Sequence, residues 1–308
     1  MYWTRNETKE VNMNAAIDNT TLIPVVTPFF DAESNTFSYI VKDPSSPACA
    51  VIDSVLDLDY ASGGVSHEGA DAIIKFIRDN ELKIEWIVET HAHADHISAG
   101  HYIRDEIGGK LAIGEQIKTV QKVFGGIYNI DDELAHDGSQ FDHLFIDGET
   151  YKIGNLEAHV MHTPGHTPAC MSHLIGDALF VGDTMFMPDA GTARADFPGG
   201  DAATLYRSIH KLLELPGATR VFMCHDYGPN DRELEYETTI AEERERNIHV
   251  KDSVSEDEFV RMRTARDKTL GMPHLILPSL QVNVRAGEFP KAEDNGLVYL
   301  KIPINAFK

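Results

Sequence analysis

The sequence predicts an α/β fold in which two mixed β-sheets pack face to face and helices cover their outer surfaces. Short β-branched or apolar segments bounded by Gly, Pro or Asp indicate strands, and segments with helical periodicity lie between them. Strands that come in groups with intervening helices favour this layered arrangement. The predicted strands span residues 22–26, 36–41, 50–56, 84–89, 110–113, 156–161, 172–175, 178–181 and 220–224.

Helical patterns separate these strands and continue beyond the last one. The first helix, 68–80, places apolar residues on one face, with Ser66 as its expected N-cap. Without an internal repeat or a low-complexity linker, we expect a single domain over residues 1–308. Residues from about 230 to 308 form its C-terminal extension, which ends in a loop-rich tail. The other predicted helices span 94–107, 115–124, 202–213, 236–247 and 255–269.

Composition limits the function classes. The net charge of −22 argues against nucleic acid or an anionic membrane as a partner, since both require Lys and Arg. The polar segment 1–20 lacks the apolar centre of a signal peptide, and no segment has the roughly 20 apolar residues that a membrane span needs. The three widely spaced cysteines form no disulfide framework and fit a reducing compartment. We therefore expect a cytoplasmic protein.

The most informative segment is the run His91-Ala92-His93-Ala94-Asp95-His96, which follows an apolar strand. It sets four potential metal ligands within six residues, where a strand passes into a loop. This spacing suits either two adjacent metal pockets or one pocket with supporting residues around it.

Three further candidate ligands follow other predicted strands. His166 lies in a Pro-Gly turn, Asp183 follows the apolar segment 178–181, and His225 follows the segment 220–224. Each is weak evidence alone, but together with the first run they predict a metal-dependent enzyme.

This constellation resembles the metallo-β-lactamase superfamily over roughly residues 20–230. The resemblance implies an αββα sandwich. In the hydrolases of that superfamily, one zinc ion would be held by His91, His93 and His166, and a second by Asp95, His96 and His225. Asp183 would bridge the two ions.

Segments outside the metal run are similar to those of the persulfide dioxygenases, a branch of this superfamily. They are Gly191–Phe197, Cys224–Tyr227, Thr239–Arg244 and Val282–Gly287. This resemblance implies a non-haem iron dioxygenase with one Fe²⁺ per chain, held by His91, His166 and Asp183. It would oxidise glutathione persulfide with O₂ and water to sulfite and glutathione. The remaining candidates, His93, Asp95, His96 and His225, would then support the ligands or line an unused second metal site.

The same resemblance suggests substrate contacts for three residues. Arg194 and Arg285 are expected to pair with the glutathione carboxylates, and Tyr227 is expected to donate its hydroxyl. A homodimer is implied by the resemblance alone. The alternative function is a binuclear Zn²⁺ thioesterase of the glyoxalase II kind, which hydrolyses S-acylglutathione. A catalytically inactive sulfur-binding protein is the third hypothesis.

Overall fold

The computed structural model describes residues 22–306. The prediction made for residues 1–20, that they lack a signal peptide, lies outside the described residues. No described helix combines the length and apolar character needed to cross a bilayer.

Two six-stranded sheets form the centre of the structure. The first has the strand order β1-β2-β3-β6-β8-β9 and the second the order β10-β11-β12-β13-β14-β15. Both sheets contain parallel and antiparallel pairs. In the first sheet β3 is parallel to β6 and antiparallel to β2, and in the second β13 is parallel to β14 and antiparallel to β12. The strands of the first sheet are Val25–Asp31 (β1), Thr36–Lys42 (β2), Ala48–Ile52 (β3), Lys83–Val88 (β6), Lys110–Gly114 (β8) and His143–Phe145 (β9). Those of the second are Thr150–Ile153 (β10), Leu156–His162 (β11), Met171–Ile175 (β12), Ala178–Phe180 (β13), Arg220–Phe222 (β14) and Glu237–Thr239 (β15).

A third, smaller sheet stands beside the first. It joins Val55–Asp59 (β4), Gly64–Ser66 (β5) and Ile97–Ser98 (β7) in the order β5-β4-β7. The helices are Glu68–Asp79 (α1), Gly100–Ile107 (α2), Ile117–Tyr128 (α3), Ala202–Leu213 (α4), Ile240–Arg246 (α5), Glu256–Asp267 (α6) and Ile276–Asn283 (α7).

Strand alternation explains why the sheets are covered on both faces. Successive side chains of a strand point to opposite faces, so β3 directs Ala50 and Ile52 to the core between the sheets, and Cys49 and Val51 outward. The outward residues pack with the apolar faces of α1, α3 and α7. On the far side, the outer face of the second sheet packs with α4, α5 and α6. The predicted αββα sandwich is therefore confirmed.

Several local predictions were wrong. The predicted helix 236–247 is the strand β15 followed by the shorter helix α5, because residues 237–239 pair with β14. The predicted strand 50–56 is two strands, because Asp53 adopts a positive φ of 50° between β3 and β4. Helix α2 begins at Gly100 rather than Ala94, since residues 94–96 belong to an irregular loop before β7. His67, not Ser66, occupies the N-cap position of α1, and no side chain caps that helix.

The tail also contains a helix that was not predicted. In α7, the residues Pro278–Asn283 are all buried, so the segment lacks the polar face that marks a surface helix. Pro278 lies in the first turn, where its missing N–H removes no helical hydrogen bond.

Candidate metal centre

Residues 89–96, here called the metal loop, connect β6 to β7 at the carboxyl end of β6. Asp53 anchors the start of this loop, because its carboxylate accepts hydrogen bonds from the Thr90 backbone N–H (2.8 Å) and hydroxyl (2.9 Å). Asn283 of α7 anchors the rest by donating to the carbonyls of His93 and His96, each at 2.8 Å. The loop is therefore held by the first sheet and by the C-terminal extension together.

Three predicted ligands converge although they come from distant parts of the chain. The ligand atoms of His91, His166 and Asp183 all lie within 4.8 Å of one another. Asp183 Oδ2 is 4.0 Å from His91 Nε2 and 3.6 Å from His166 Nε2. Atoms that each lie about 2.1 Å from a common ion can be separated by up to about 4.2 Å, so these distances suit one shared metal.

Neighbouring groups fix the tautomers of both histidines. His166 Nδ1 lies 2.8 Å from the Arg194 carbonyl, which can only accept, so Nδ1 carries the proton and Nε2 a lone pair. The Thr90 hydroxyl gives its proton to Asp53, so it accepts from His91 Nδ1 at 3.1 Å. His91 Nε2 is therefore also free to bind a metal.

Unsatisfied buried atoms test whether the residues fit a metal. Within residues 22–306, five side-chain atoms of the candidate ligands are buried without a hydrogen-bond partner, although two of them, Asp183 Oδ1 and His225 Nε2, face each other at 3.2 Å. Leaving such atoms unpaired costs about 1–3 kcal/mol each, whereas metal coordination would satisfy them. The residues of the centre therefore fit a metal site. The five atoms are His91 Nε2, His93 Nδ1, His96 Nε2, Asp183 Oδ1 and His225 Nε2.

His93 differs from the other two histidines, because two carboxylates face its Nε2. Asp53 Oδ1 lies at 3.0 Å and Glu89 Oε2 at 3.3 Å. Burial alone would lower the pKa of His93, but these carboxylates raise it well above its ordinary value. Burial alone would raise the pKa of Asp53, but the neighbouring His93 lowers the pKa of that carboxyl to about 2. His93 thus forms groups with Asp53 and Glu89 on one side and with Asp95 and His96 on the other.

A second group of ligands lies on the other side of Asp183. His225 Nε2 is 3.2 Å from Asp183 Oδ1 and 3.3 Å from Asp95 Oδ2. Burial would lower the pKa of His225, but the two carboxylates raise it to about 9. His96 Nδ1 lies 3.5 Å from the same Asp95 oxygen. The two oxygens of Asp183 therefore face two adjacent pockets, an arrangement that permits either one metal or two.

A cleft of about 600 Å³ opens onto the centre and is lined by His166, Asp183 and His225. Tyr227 also lines the cleft, with its ring nearly parallel to that of His225 at a centroid distance of 6.1 Å. Arg194 also lines the cleft.

Arg194 is already engaged by protein groups. It donates to both oxygens of Asp196 (2.6 and 2.9 Å) and to the Gly271 carbonyl (2.6 Å). It therefore shapes the wall of the cleft, and three of its five N–H groups have protein partners.

Arg285 does not line this cleft. It is buried in the segment after α7 and pairs with Glu133 at 3.2 Å. The contact of Arg285 with substrate carboxylates stays a prediction, and in this structure its guanidinium is paired with Glu133.

The buried cysteines near the centre are thiols of low acidity. Burial raises the pKa of Cys170 to about 12 and that of Cys224 well above its ordinary value. Such thiols carry little thiolate near neutral pH and behave as small apolar residues.

Sequence reasoning missed several residues that complete the site. Asp53 directly follows β3, the same pattern that identified Asp183, but the predicted strand 50–56 runs through this position and hides it. Glu89 ends the predicted strand 84–89. Asn283 lies in the segment Val282–Gly287, which is similar to a segment of the persulfide dioxygenases. Nothing local marks either as a partner of the metal loop, because their contacts depend on the tertiary fold.

Known proteins match most of the chain. The family model of the metallo-beta-lactamase superfamily matches residues 32–225. A probable metallo-hydrolase of Burkholderia pseudomallei is 53% identical over 288 residues, which cover 90% of this chain and 98% of that protein. Glyoxylase B2 of Dictyostelium discoideum is 53% identical over 282 residues, covering 91% and 97%.

More distant similarity leads to persulfide dioxygenases. The mitochondrial persulfide dioxygenase ETHE1 of Homo sapiens is 28% identical over 261 residues, covering 84% of this chain and 87% of that protein. The crystal structure of ETHE1 from Myxococcus xanthus superimposes with a TM-score of 0.69 at 28% identity and covers 86% of this chain and 100% of that one. With the family model matching more than half of its length, the chain belongs to the metallo-β-lactamase superfamily.

Proposed function

We propose that this protein is a persulfide dioxygenase that uses one Fe²⁺ per chain, bound by His91, His166 and Asp183. One observation carries the proposal: the ligand atoms of these three residues lie within 4.8 Å of one another. His93 belongs to two other groups, one with Asp53 and Glu89 and one with Asp95 and His96. Two histidines and one carboxylate are the ligand set of non-haem Fe²⁺ oxygenases. When bound there, Fe²⁺ would supply open coordination positions and the electrons that O₂ activation requires.

The balanced reaction consumes a thiol persulfide, one O₂ and one water. The S–S bond breaks, the outer sulfur is oxidised to sulfite by gaining three oxygen atoms, and the inner sulfur leaves as the thiol. Two protons are released with the sulfite. O₂ is the oxidant, so no other electron acceptor is needed.

The chain's own residues would position the reactants. His166 and Asp183 line the cleft, so a sulfur atom entering it reaches the side of the centre that faces solvent. Phe186 and Phe197 also line this entrance and provide apolar surface against a thiol carrier. The hydrogen bonds of His166 to Arg194 and of His91 to Thr90 would keep both Nε2 atoms directed at the metal.

A binuclear zinc thioesterase is the second candidate. It is favoured by the 53% identity to glyoxylase B2 and by the buried Nε2 atoms of His96 and His225 in the second pocket, which make no hydrogen bond. Asp183 would then use one oxygen for each of the two ions.

Metal analysis and oxygen uptake separate the two functions. Protein purified anaerobically should contain about one iron per chain and consume O₂ when glutathione persulfide is added, with sulfite as product. S-lactoylglutathione should not be hydrolysed. About two zinc ions per chain, thioester hydrolysis and no persulfide-dependent O₂ uptake would reject the dioxygenase.

A further inference from the structure

The cleft has a cationic end beyond the metal centre, formed by the segment 192–194 and by α6. Three arginines line the cleft, but two are neutralised by protein groups. Arg194 pairs with Asp196, and Arg263 is almost fully buried against Asp267 (2.6 Å). Arg266 is exposed, and among residues 22–306 its side chain has no hydrogen bond or ion pair. It is therefore the cation of the cleft that remains available to a ligand.

His249 supplies a hydrogen-bond donor in the same cleft as this cation. It is only 8% exposed, and its Nδ1 accepts from the Thr192 backbone N–H at 3.0 Å. A neutral imidazole whose Nδ1 accepts must carry its proton on Nε2. Burial and the charges of Arg263 and Arg266 lower the pKa of His249 to about 4, so the ring stays neutral near pH 7. His249 lines the cleft, and Nε2 has no protein partner among the described residues.

The segment 192–194 connects this end of the cleft to the metal centre. Thr192 holds His249, and the carbonyl of Arg194 holds His166. Two residues of extended chain span at most about 7 Å. His166 and His249 line the same cleft, so a small thiol bound in it is available to both ends of the segment.

We infer that His249 and Arg266 form a binding site for a carboxylate of the small thiol that carries the persulfide sulfur. This inference rests on the proposed function for the identity of the thiol. A carboxylate fits one guanidinium and one neutral N–H donor. Phosphate is favoured less, because Glu33 and Asp189 also line the cleft and would repel a more highly charged anion.

Binding of glutathione to the anaerobic iron-loaded protein tests the inference by calorimetry. Arg266→Ala should weaken glutathione binding about tenfold, which corresponds to about 1.4 kcal/mol. Glutathione esterified at its glycine carboxylate should bind both proteins with similar affinity. Arg266→Lys should recover part of the loss, because it restores the charge.

Two variants control for indirect effects. Arg261→Ala removes an exposed arginine of the same helix that does not line the cleft, and it should leave glutathione affinity unchanged. His249→Asn keeps an acceptor for the Thr192 N–H but cannot reach as far as Nε2. It should weaken binding of glutathione more than binding of the ester.

Two results would overturn the inference: equal affinity in Arg266→Ala and the unaltered protein, or equal losses for glutathione and its ester. The test does not depend on turnover. Failure of the proposed function would appear as absent O₂ uptake with the binding difference intact. Failure of this inference would appear as intact O₂ uptake without the binding difference.

Discussion

Asn283 donates its side-chain amide to the carbonyl of His93, 2.8 Å away and 190 positions earlier in the chain. The same amide nitrogen donates to the His96 carbonyl, and the amide oxygen accepts from the Ser98 N–H, also at 2.8 Å. One buried side chain of the C-terminal extension thus fixes three backbone groups of the metal loop and of the strand that follows it. The extension is therefore part of the metal centre as well as a cover for the first sheet.

Asn283→Ala should lower both stability and metal affinity. Three buried backbone groups lose their partner, and each such loss costs about 1–3 kcal/mol. We expect a decrease of at least about 2 kcal/mol in the free energy of unfolding, measured by urea denaturation. Metal affinity should fall about 10- to 100-fold, as for other residues that orient ligands. Asn295→Ala, at an exposed position, is the control. Unchanged metal affinity in Asn283→Ala would contradict the anchoring role.

His91→Ala and His93→Ala should differ in metal content. His91→Ala removes a direct ligand and should abolish iron binding, measured by elemental analysis of the purified protein. His93→Ala should retain iron with weaker affinity, because His93 lies outside the proposed triad. Equal loss of iron in both variants would count against the triad and favour the ligand set of the zinc hydrolases.

The stability of His93→Ala should nevertheless be low. The substitution leaves Asp53 and Glu89 buried without their shared partner, a type of change that costs about 3–5 kcal/mol. His93→Gln keeps a donor near the Nε2 position and should recover part of the loss. The comparison requires only thermal or urea unfolding, and a His93→Ala variant as stable as the parent would disprove the ion-pair assignment.

Gly182→Ala should disrupt the metal centre from the second sheet. Gly182 precedes Asp183, has a φ of 50°, and an added Cβ would collide with the Thr90 hydroxyl. That hydroxyl bonds both Asp53 and His91, so a displacement would disturb the first ligand. We expect a destabilisation of about 1–3 kcal/mol together with reduced metal binding.

Gly126→Ala in α3 is the matched control. No atom lies within 4 Å of the added Cβ, so the variant should gain about 0.5–1 kcal/mol of stability. Normal metal content in Gly182→Ala would show that Thr90 can move without affecting the centre.

Glu243 should make the protein less stable as the pH rises. Burial raises its pKa from the ordinary value of 4.5 to about 8, although a 2.6 Å hydrogen bond from Asn247 opposes the shift. Between these values the folded protein binds a proton that the unfolded chain lacks, so stability falls from about pH 4.5 to pH 8. Glu243→Gln removes this dependence. The melting temperature of the variant, relative to that of the parent, should therefore rise from pH 5 to pH 8.

The exposed neighbour Glu245→Gln controls for the loss of one negative charge. A constant difference in melting temperature between Glu243→Gln and the parent across this pH range would contradict the assignment.

The sequence predicted the layered fold because alternation and helical periodicity are local properties. Helix α4, at Ala202–Leu213, has the predicted bounds, since Asp201 caps it and its apolar stripe is regular. The prediction failed where tertiary contacts determine the backbone. Residues 94–96 follow a helical pattern, but the contacts of the metal loop keep them irregular until Gly100.

The candidate ligands were also predictable, because His and Asp after apolar strands form a visible pattern. Their grouping was not. His93 pairs with Asp53, 40 positions away, and Arg285 pairs with Glu133, 152 positions away. Contacts across such separations leave no trace in the periodicity of a single sequence.

The origin of the ligands in both sheets also bears on how the protein folds. The metal loop follows a strand of the first sheet, whereas His166, Asp183 and His225 follow strands of the second. During synthesis, the candidate ligands of the metal loop are made within the first 100 residues. The last candidate ligand is made only at residue 225, and Asn283 still later. A nascent chain therefore cannot assemble this centre as its first sheet forms. Tight metal binding becomes possible only after the two halves have packed, so acquisition of the ion is a late step in the maturation of the enzyme.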